Sequence, residues 1–218
     1  MDSVNLKIAI IIPAYNEEKT IKNVIQNCLN YGDIIVIDDN SNDNTSNIAK
    51  SFNIKVINNK KNLGYDKSIE IGIRQSILDG YDVALTFDAD GEHPHKSIFQ
   101  MLNILKKGFD IVVGVRNKKN RLIEAIFSFY SKFFWGLDDP LCGMKLYKLS
   151  SVKTIDAINT YESIGTELTF KLINRGFKLA QLDIKVDKRV GNSRIGNIFK
   201  ANLKILKSML YSPLIKFY

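Results

Sequence analysis

Two cysteines, two histidines, four prolines and one tryptophan are all that the 218 residues hold of those types. Cys28 and Cys142 stand far apart, with no C-x-x-C and no metal-ligand spacing, which excludes a disulfide framework and a zinc site and leaves both thiols to packing. Long apolar runs are missing too. Stretches such as "IAIIIPAY" and "DIIVID" fall far short of the ~20 residues that a membrane-crossing helix needs. The N-terminus lacks the basic-then-apolar layout of a signal peptide. A cytoplasmic protein is expected, with peripheral contact at the cytoplasmic membrane face left open. Neither G-x-G-x-x-G nor G-x-x-x-x-G-K-[ST] occurs, so no glycine-rich loop is available to cradle phosphates. The basic residues follow no RNA-binding signature and no helix-turn-helix spacing, and nucleic acid is not expected as a partner.

What is present is unevenly charged. Residues 1–100 carry 10 Lys and Arg against 14 Asp and Glu, net −4, whereas residues 101–218 carry 21 against 9, net +12. An acidic half suited to cations precedes a basic half suited to phosphates or an anionic surface. Length and a 45% hydrophobic content fit one domain, 1–218, with its own core.

The first hundred residues alternate β-rich apolar runs with helical patterns, the sequence form of a parallel α/β sheet. "KIAIIIPAY", "DIIVIDDN", "KVINN" and "DVALTFDAD" read as strands, with helices between them. Beyond Pro94 the pattern predicts a helix, the strand "DIVVGVR", an aromatic-rich amphipathic helix "LIEAIFSFYSKFFWGL", a helix around "TELTFKLINRG", the strand "KLAQLDIKV" and a helix over 198–211. Open sheets of this kind bind ligands at the carboxyl ends of their strands, at a topological switch point. Each polar cluster of the first half falls there: "PAYNEE", "DDNSNDNT", "NNKKNLGYD" and "DADGEHP".

The stretch "LTFDADGEHPH" ends a buried strand in negative charge. Asp88 and Asp90, two residues apart on an extended segment, point to one side and reach one divalent cation through oxygen, with Glu92 as a third donor. Such a cation leaves positions open for a nucleotide diphosphate. The alternative is an exposed turn in which Asp88 or Asp90 caps the helix after Pro94. His93 is open between a metal contact and a structural role. At the second strand end, Asp38 and Asp39 suit hydrogen bonds from a base or ribose, while Asn40 to Thr45 suit an Asx-turn and a helix cap; both readings hold together.

In order along the chain, "PAYNEE", "DDNSNDNT", "NLGYDKSIEIG", "DADGEHP", "GVR", "DPLCGMKLY" and "RVGNSR" resemble the inverting family 2 glycosyltransferases, most closely the polyprenyl-phosphate sugar synthases such as dolichyl-phosphate mannose synthase. The resemblance covers nearly the whole chain. It implies a GT-A fold, a nucleotide-sugar donor (GDP- or UDP-linked) and Mg2+ or Mn2+. Carried over, Pro13, Tyr15 and Glu17 match the donor-base pocket, Asp39 the base or ribose contact, and Asp88, Asp90 and Glu92 the metal and diphosphate site. Arg116 matches an arginine beside the donor diphosphate. Arg121, Arg189 and Arg194 match basic positions near the acceptor phosphate or leaving group. Glu92 departs from a position that is often Gln, and Arg194 from one that is often Lys. Asp66 and Ser68 stand where Gly and Ala are common.

A nucleoside diphosphate leaves as an anion, so a cation and nearby arginines stabilise charge that develops in the transition state. A polyprenyl phosphate acceptor is already anionic and needs no strong base. A hydroxyl of a cell-surface glycan, such as capsule or lipooligosaccharide, needs a carboxylate to take its proton; Glu167 is a candidate, with a buried or surface hydrogen-bonding role as the alternative. The aromatics Phe127, Phe129, Tyr130, Phe133, Phe134 and Trp135 suit either a membrane surface or the core. A nucleotide-binding module without catalysis is disfavoured by the acceptor-side arginines. A nucleotidyltransferase is disfavoured because "PAYNEE" is no glycine-rich loop.

Overall fold

In the computed structural model the structure describes residues 6–119, 121–159, 163–187 and 198–217. β1 (Ile8–Ala14) is buried over nearly its whole length, as its unbroken apolar run requires for a strand covered on both faces. α1 (Ile21–Cys28) buries Ile21, Val24, Ile25 and Cys28, a spacing of three and four that lays one face on the sheet. β2 (Asp33–Asp38), α2 (Thr45–Lys50), β3 (Lys55–Asn58), α3 (Tyr65–Leu78) and β4 (Val83–Thr86) continue the alternation. α3 lies so close to β1 that a Cβ on Gly72 would fall 2.3 Å from the Ile11 side chain. α4 (Lys96–Lys106), β5 (Ile111–Arg116) and α5 (Leu122–Trp135) follow. Next come β6 (Lys145–Lys148), α6 (Leu149–Val152), α7 (Ile164–Asn174), β7 (Leu179–Ile184) and α8 (Ile198–Tyr211), with a closing 3-10 turn over Ser212–Phe217.

The strands form one seven-stranded sheet in the order β3-β2-β1-β4-β6-β5-β7. β1 pairs in parallel with β2 on one side and β4 on the other, and β2 pairs in parallel with β3. The chain therefore winds outward through β2 and β3, then returns to the far side of β1, which sets the switch point between the carboxyl ends of β1 and β4. β6 runs antiparallel between β4 and β5, and β7 is parallel to β5. The expected α/β sheet is present and mostly parallel; the reversed β6 was not expected.

One strand is shorter than its sequence suggests. The ladder of β4 stops at Thr86, although "DVALTFDAD" stays apolar or β-compatible beyond it. Phe87 still donates to Ile11 O at 2.9 Å, and the chain then turns through Gly91, whose φ of +79° a side chain would strain. Among the described residues no helix is long and apolar enough to cross a membrane.

Candidate active site

The loops after β1 and β2 are sewn together by short polar side chains. Asn16, at φ +53°, donates its N–H to Ser41 Oγ at 3.0 Å and accepts from the Asn42 N–H at 2.8 Å. The Glu17 N–H reaches Thr45 Oγ1 at 2.7 Å, and the Glu18 N–H reaches Asp43 Oδ2 at 3.1 Å. Asp43 also accepts from the Thr45 N–H two residues on at 2.9 Å, the Asx-turn expected within Asn40 to Thr45, whereas Asn44, at the cap position of α2, makes no side-chain cap bond. Pro13 is buried inside β1, Tyr15 is half-buried at its exit, and Glu17 is buried with Oε2 accepting from Thr20 Oγ1 at 2.9 Å.

Asp38 and Asp39 end β2, both buried. Asp38 Oδ2 accepts from Asn58 Nδ2 at 3.0 Å and from the Ser41 N–H, three residues on, at 3.3 Å. Asp39 turns to the other loop: Oδ1 accepts from Asn59 Nδ2 at 2.7 Å and the Leu63 N–H at 2.8 Å, and Oδ2 from the Gly64 N–H at 2.8 Å. The residue expected to meet base or ribose thus also fixes the loop that enters α3.

Asp88 stands across the switch point. Tyr65 Oη donates to its Oδ1 at 2.9 Å, and His93 Nε2 lies 3.0 Å from its Oδ2. Burial disfavours a charged His93, but the Asp88 carboxylate outweighs it and the net shift is upward. Tyr65 is 37% exposed as a residue, but desolvation at its hydroxyl end and then Asp88 push the phenol well up, so it stays a donor. Asp90 is buried, and its Oδ1 accepts from the Glu92 N–H at 3.1 Å. The cap position of α4 is taken by His95, five residues beyond Asp90, and its side chain makes no cap bond.

Because the chain turns at Gly91, the alternation that would aim three carboxylates to one side does not apply, and among the described residues no group of three His, Cys, Asp or Glu converges. Glu92 is joined to the site through its backbone: its carbonyl accepts from the Asp187 N–H at 3.0 Å. The remaining donor chemistry fits a hard divalent cation. Asp88 and Asp90 are oxygen ligands, and Mg2+ or Mn2+ is commonly held by one or two carboxylates plus substrate phosphates. Gly143 leaves the room for Asp88, since a Cβ there would lie 2.2 Å from Oδ2 and 2.7 Å from Cγ. Gly143→Ala is therefore expected to displace Asp88 and lower turnover about 100-fold, with only a small fall in thermal midpoint. Turnover within a few fold of wild type would mean that the Asp88 position is not critical.

Arg116, at the end of β5, makes a two-pronged bond to Asp139, Nε to Oδ2 at 2.8 Å and Nη2 to Oδ1 at 2.9 Å, and its Nη2 lies 3.4 Å from Glu124 Oε2. Its guanidinium is committed to these carboxylates. Arg121 sits half-buried at the first turn of α5, its carbonyl accepting from the Glu124 N–H at 3.1 Å.

Lys145, absent from the sequence reading, opens β6 fully buried, with Nζ donating to Pro140 O at 2.7 Å. No carboxylate lies within ion-pairing distance of it among the described residues. Burial pulls its amine down to about 8 against the opposing fields of Cys142, Asp139 and Asp88. The unfolded amine titrates near 10.5, so folding expels a proton between those values and the penalty on the folded state is relieved as pH rises from about 8 to 10.5. Wild-type stability measured against Lys145→Met by urea unfolding should rise across that window by at most ~1.4 kcal/mol per pH unit. Parallel curves would contradict the buried charge.

Glu167, on α7, is buried against Lys171, Oε1 to Nζ at 2.6 Å, one helical turn on. Lys171 Nζ also donates to Ala157 O at 2.6 Å. Arg189 and Arg194 lie outside the described residues; Asp187, two residues before Arg189, is bonded to Glu92. Of the aromatic segment, Phe127 and Trp135 are core, Tyr130 is half-buried, and Phe129 and Phe133 are each 77% exposed. With Leu122 and Ile126 they form an exposed stripe at helical spacing.

Tyr65, Asp139, Gly143 and Lys145 were not singled out as site residues from the sequence. The nearest sequence signals were the glycine and the lone lysine in the apolar context of "CGMKLY".

A mostly parallel sheet carrying carboxylates at its β1/β4 switch point, with a reversed sixth strand, is the GT-A arrangement, the fold of a glycosyltransferase. Residues 9–139 match Glycosyl transferase family 2, and the chain belongs to that family. It is similar to the UDP-N-acetylglucosamine--dolichyl-phosphate N-acetylglucosaminyltransferase of Methanococcus voltae, 39% identical over 51% of this chain and 52% of that one. The polyprenol monophosphomannose synthase of Mycolicibacterium smegmatis is 26% identical over 90% of this chain and 84% of its own. In structure it resembles glucosyl-3-phosphoglycerate synthase from Mycobacterium tuberculosis, with a TM-score of 0.78 at 18% identity, covering 95% of this chain and 80% of the other.

Proposed function

We propose that the chain is a divalent-metal-dependent, inverting glycosyltransferase that moves a hexose from a GDP- or UDP-sugar to a polyprenyl phosphate. The observation that carries this reading is the meeting of Asp39 and the Asp88/Asp90 pair on one sheet edge, bridged by the 59–65 loop. Asp39, Tyr15 and Glu17 hold the nucleoside end. Asp88 and Asp90 hold Mg2+ or Mn2+, which when bound neutralises the diphosphate and helps it leave. The mycobacterial synthase of the same fold was crystallised with Mn2+, uridine diphosphate and glucosyl-3-phosphoglycerate, which supports a divalent cation and a nucleotide as ligands.

Two features favour a lipid phosphate over a glycan hydroxyl. By their names, one of the relatives above transfers to dolichyl phosphate and the other makes polyprenol monophosphomannose. Glu167, the candidate base for a hydroxyl, is bound to Lys171 in the interior. An acceptor that arrives ionised needs no such base: its oxygen attacks the anomeric carbon opposite the leaving diphosphate, with Arg121, Arg189 and Arg194 opposing its charge. The exposed stripe Leu122, Ile126, Phe129 and Phe133 supports peripheral contact with the membrane that holds such a lipid.

The test compares polyprenyl phosphate with polyprenol as acceptors for a panel of UDP- and GDP-sugars. Sugar should pass to the phosphate alone, and Arg189→Ala should raise the acceptor KM more than it weakens donor binding. Transfer to polyprenol, or to a glycan hydroxyl in preference to the phosphate, would overturn the reading.

A further inference from the structure

One short loop is tied to both halves of the candidate site. Its first anchor is Asp39, whose carboxylate takes bonds from the Asn59 side chain, the Leu63 N–H and the Gly64 N–H. Gly64 reaches that position with φ +86° and ψ 166°, a conformation open in practice to glycine only. The next residue, Tyr65, starts α3 and spans to the opposite strand end, where its hydroxyl donates to Asp88 Oδ1. Asp88 is held on its other oxygen by the buried His93, whose ring packs edge-on against Phe87, and it lies so close to Gly143 that a Cβ there would overlap its Oδ2. A shift of the loop at Asp39 is therefore transmitted over a single residue to the carboxylate expected to meet the cation.

We propose that Tyr65 is a positioning residue through which the Asn59–Tyr65 loop couples occupation of the nucleoside pocket at Asp39 to cation affinity at Asp88. This rests on the assignment of Asp39 and Asp88 made under the proposed function. A nucleoside that orders the loop fixes the Asp88 rotamer before the cation arrives, so each ligand raises the affinity for the other by the same factor, as linkage requires. Tyr65 touches neither reacting centre; it acts through Asp88.

The experiment measures Mn2+ binding directly, by the loss of the free-ion electron paramagnetic resonance signal, with no nucleoside and with saturating uridine or guanosine, which carry no phosphate to ligate the ion. Wild type should bind Mn2+ about tenfold more tightly with its preferred nucleoside present. Tyr65→Phe, which removes one hydroxyl and keeps the ring, should retain the wild-type circular dichroism and thermal midpoint within a few degrees, while the coupling factor falls to about two. Gly64→Ala, which strains the loop at the residue whose N–H binds Asp39 and removes neither carboxylate, should lower the factor similarly. Coupling unchanged in both variants would overturn the proposal. If wild type binds neither Mn2+ nor nucleoside, or if Asp90→Ala binds Mn2+ as wild type does, the site assignment itself fails and the inference falls with it; that pattern is distinct from intact binding with intact coupling.

Discussion

Asp90→Ala is expected to lose at least about 1,000-fold in metal-dependent turnover while remaining folded. Asp90 is buried at the switch point, and its Oδ1 accepts from the Glu92 N–H across the Gly91 turn. Losing that bond costs about 1 kcal/mol, or a few degrees in thermal midpoint. Losing the charge removes half of the two-aspartate pair available to a cation opposite the diphosphate. Asp90→Asn separates the two effects, because the amide oxygen still accepts from Glu92 but no longer carries charge. Its stability should equal wild type and its turnover should fall with that of the alanine variant. Turnover within threefold of wild type in either would remove the cation from the chemistry of this site.

Asp139→Ala is expected to destabilise the fold by about 3–5 kcal/mol, read as a lower urea midpoint at unchanged slope. Asp139 is 1% exposed and takes the Arg116 backbone N–H at 3.1 Å as well as both prongs of the guanidinium. Without it the arginine stays buried with Glu124 at 3.4 Å as its partner. Burial alone would raise the Asp139 carboxyl, but the bonds from Arg116 outweigh it and hold the group below the ordinary carboxylate range. A depressed acid stabilises the fold above its unfolded value near 4 and loses that contribution as pH falls through its lower folded value. The stability gap between wild type and Asp139→Ala should accordingly be constant at neutral pH and close in acid. A gap below about 1 kcal/mol at neutral pH would show that Arg116 finds other partners. Arg116→Lys cannot reproduce the two-pronged bond and should be destabilised as well.

Much of this site was legible because β1 to β4 advertise themselves. Buried parallel strands read as unbroken apolar runs, and their carboxyl ends must then carry the polar loops, so the placement of Asp38, Asp39, Asp88 and Asp90 at or just past strand ends could be read from the sequence. The reversed β6 was not legible. Its four residues, "KLYK", carry no period, and their partners on β4 and β5 lie 32 to 65 residues earlier. The commitments of individual side chains escaped for a related reason. That Asp39 serves the 59–64 loop, that Arg116 is held by Asp139 and that Glu167 faces Lys171 depend on which loops pack together, and spacing along one strand does not encode that. Lys145 is instructive because a charged residue in an apolar strand usually faces water, yet here tertiary packing buries it.

The most direct test is transfer of labelled hexose from a UDP- or GDP-sugar to a short polyprenyl phosphate by the purified chain with Mn2+ or Mg2+, with the anomeric configuration of the product determined. A lipid-linked sugar phosphate of inverted configuration, formed only with the metal and lost in Asp90→Ala, is the predicted result. A donor consumed with no lipid product, a product of retained configuration, or transfer to a hydroxyl acceptor in its place would contradict it.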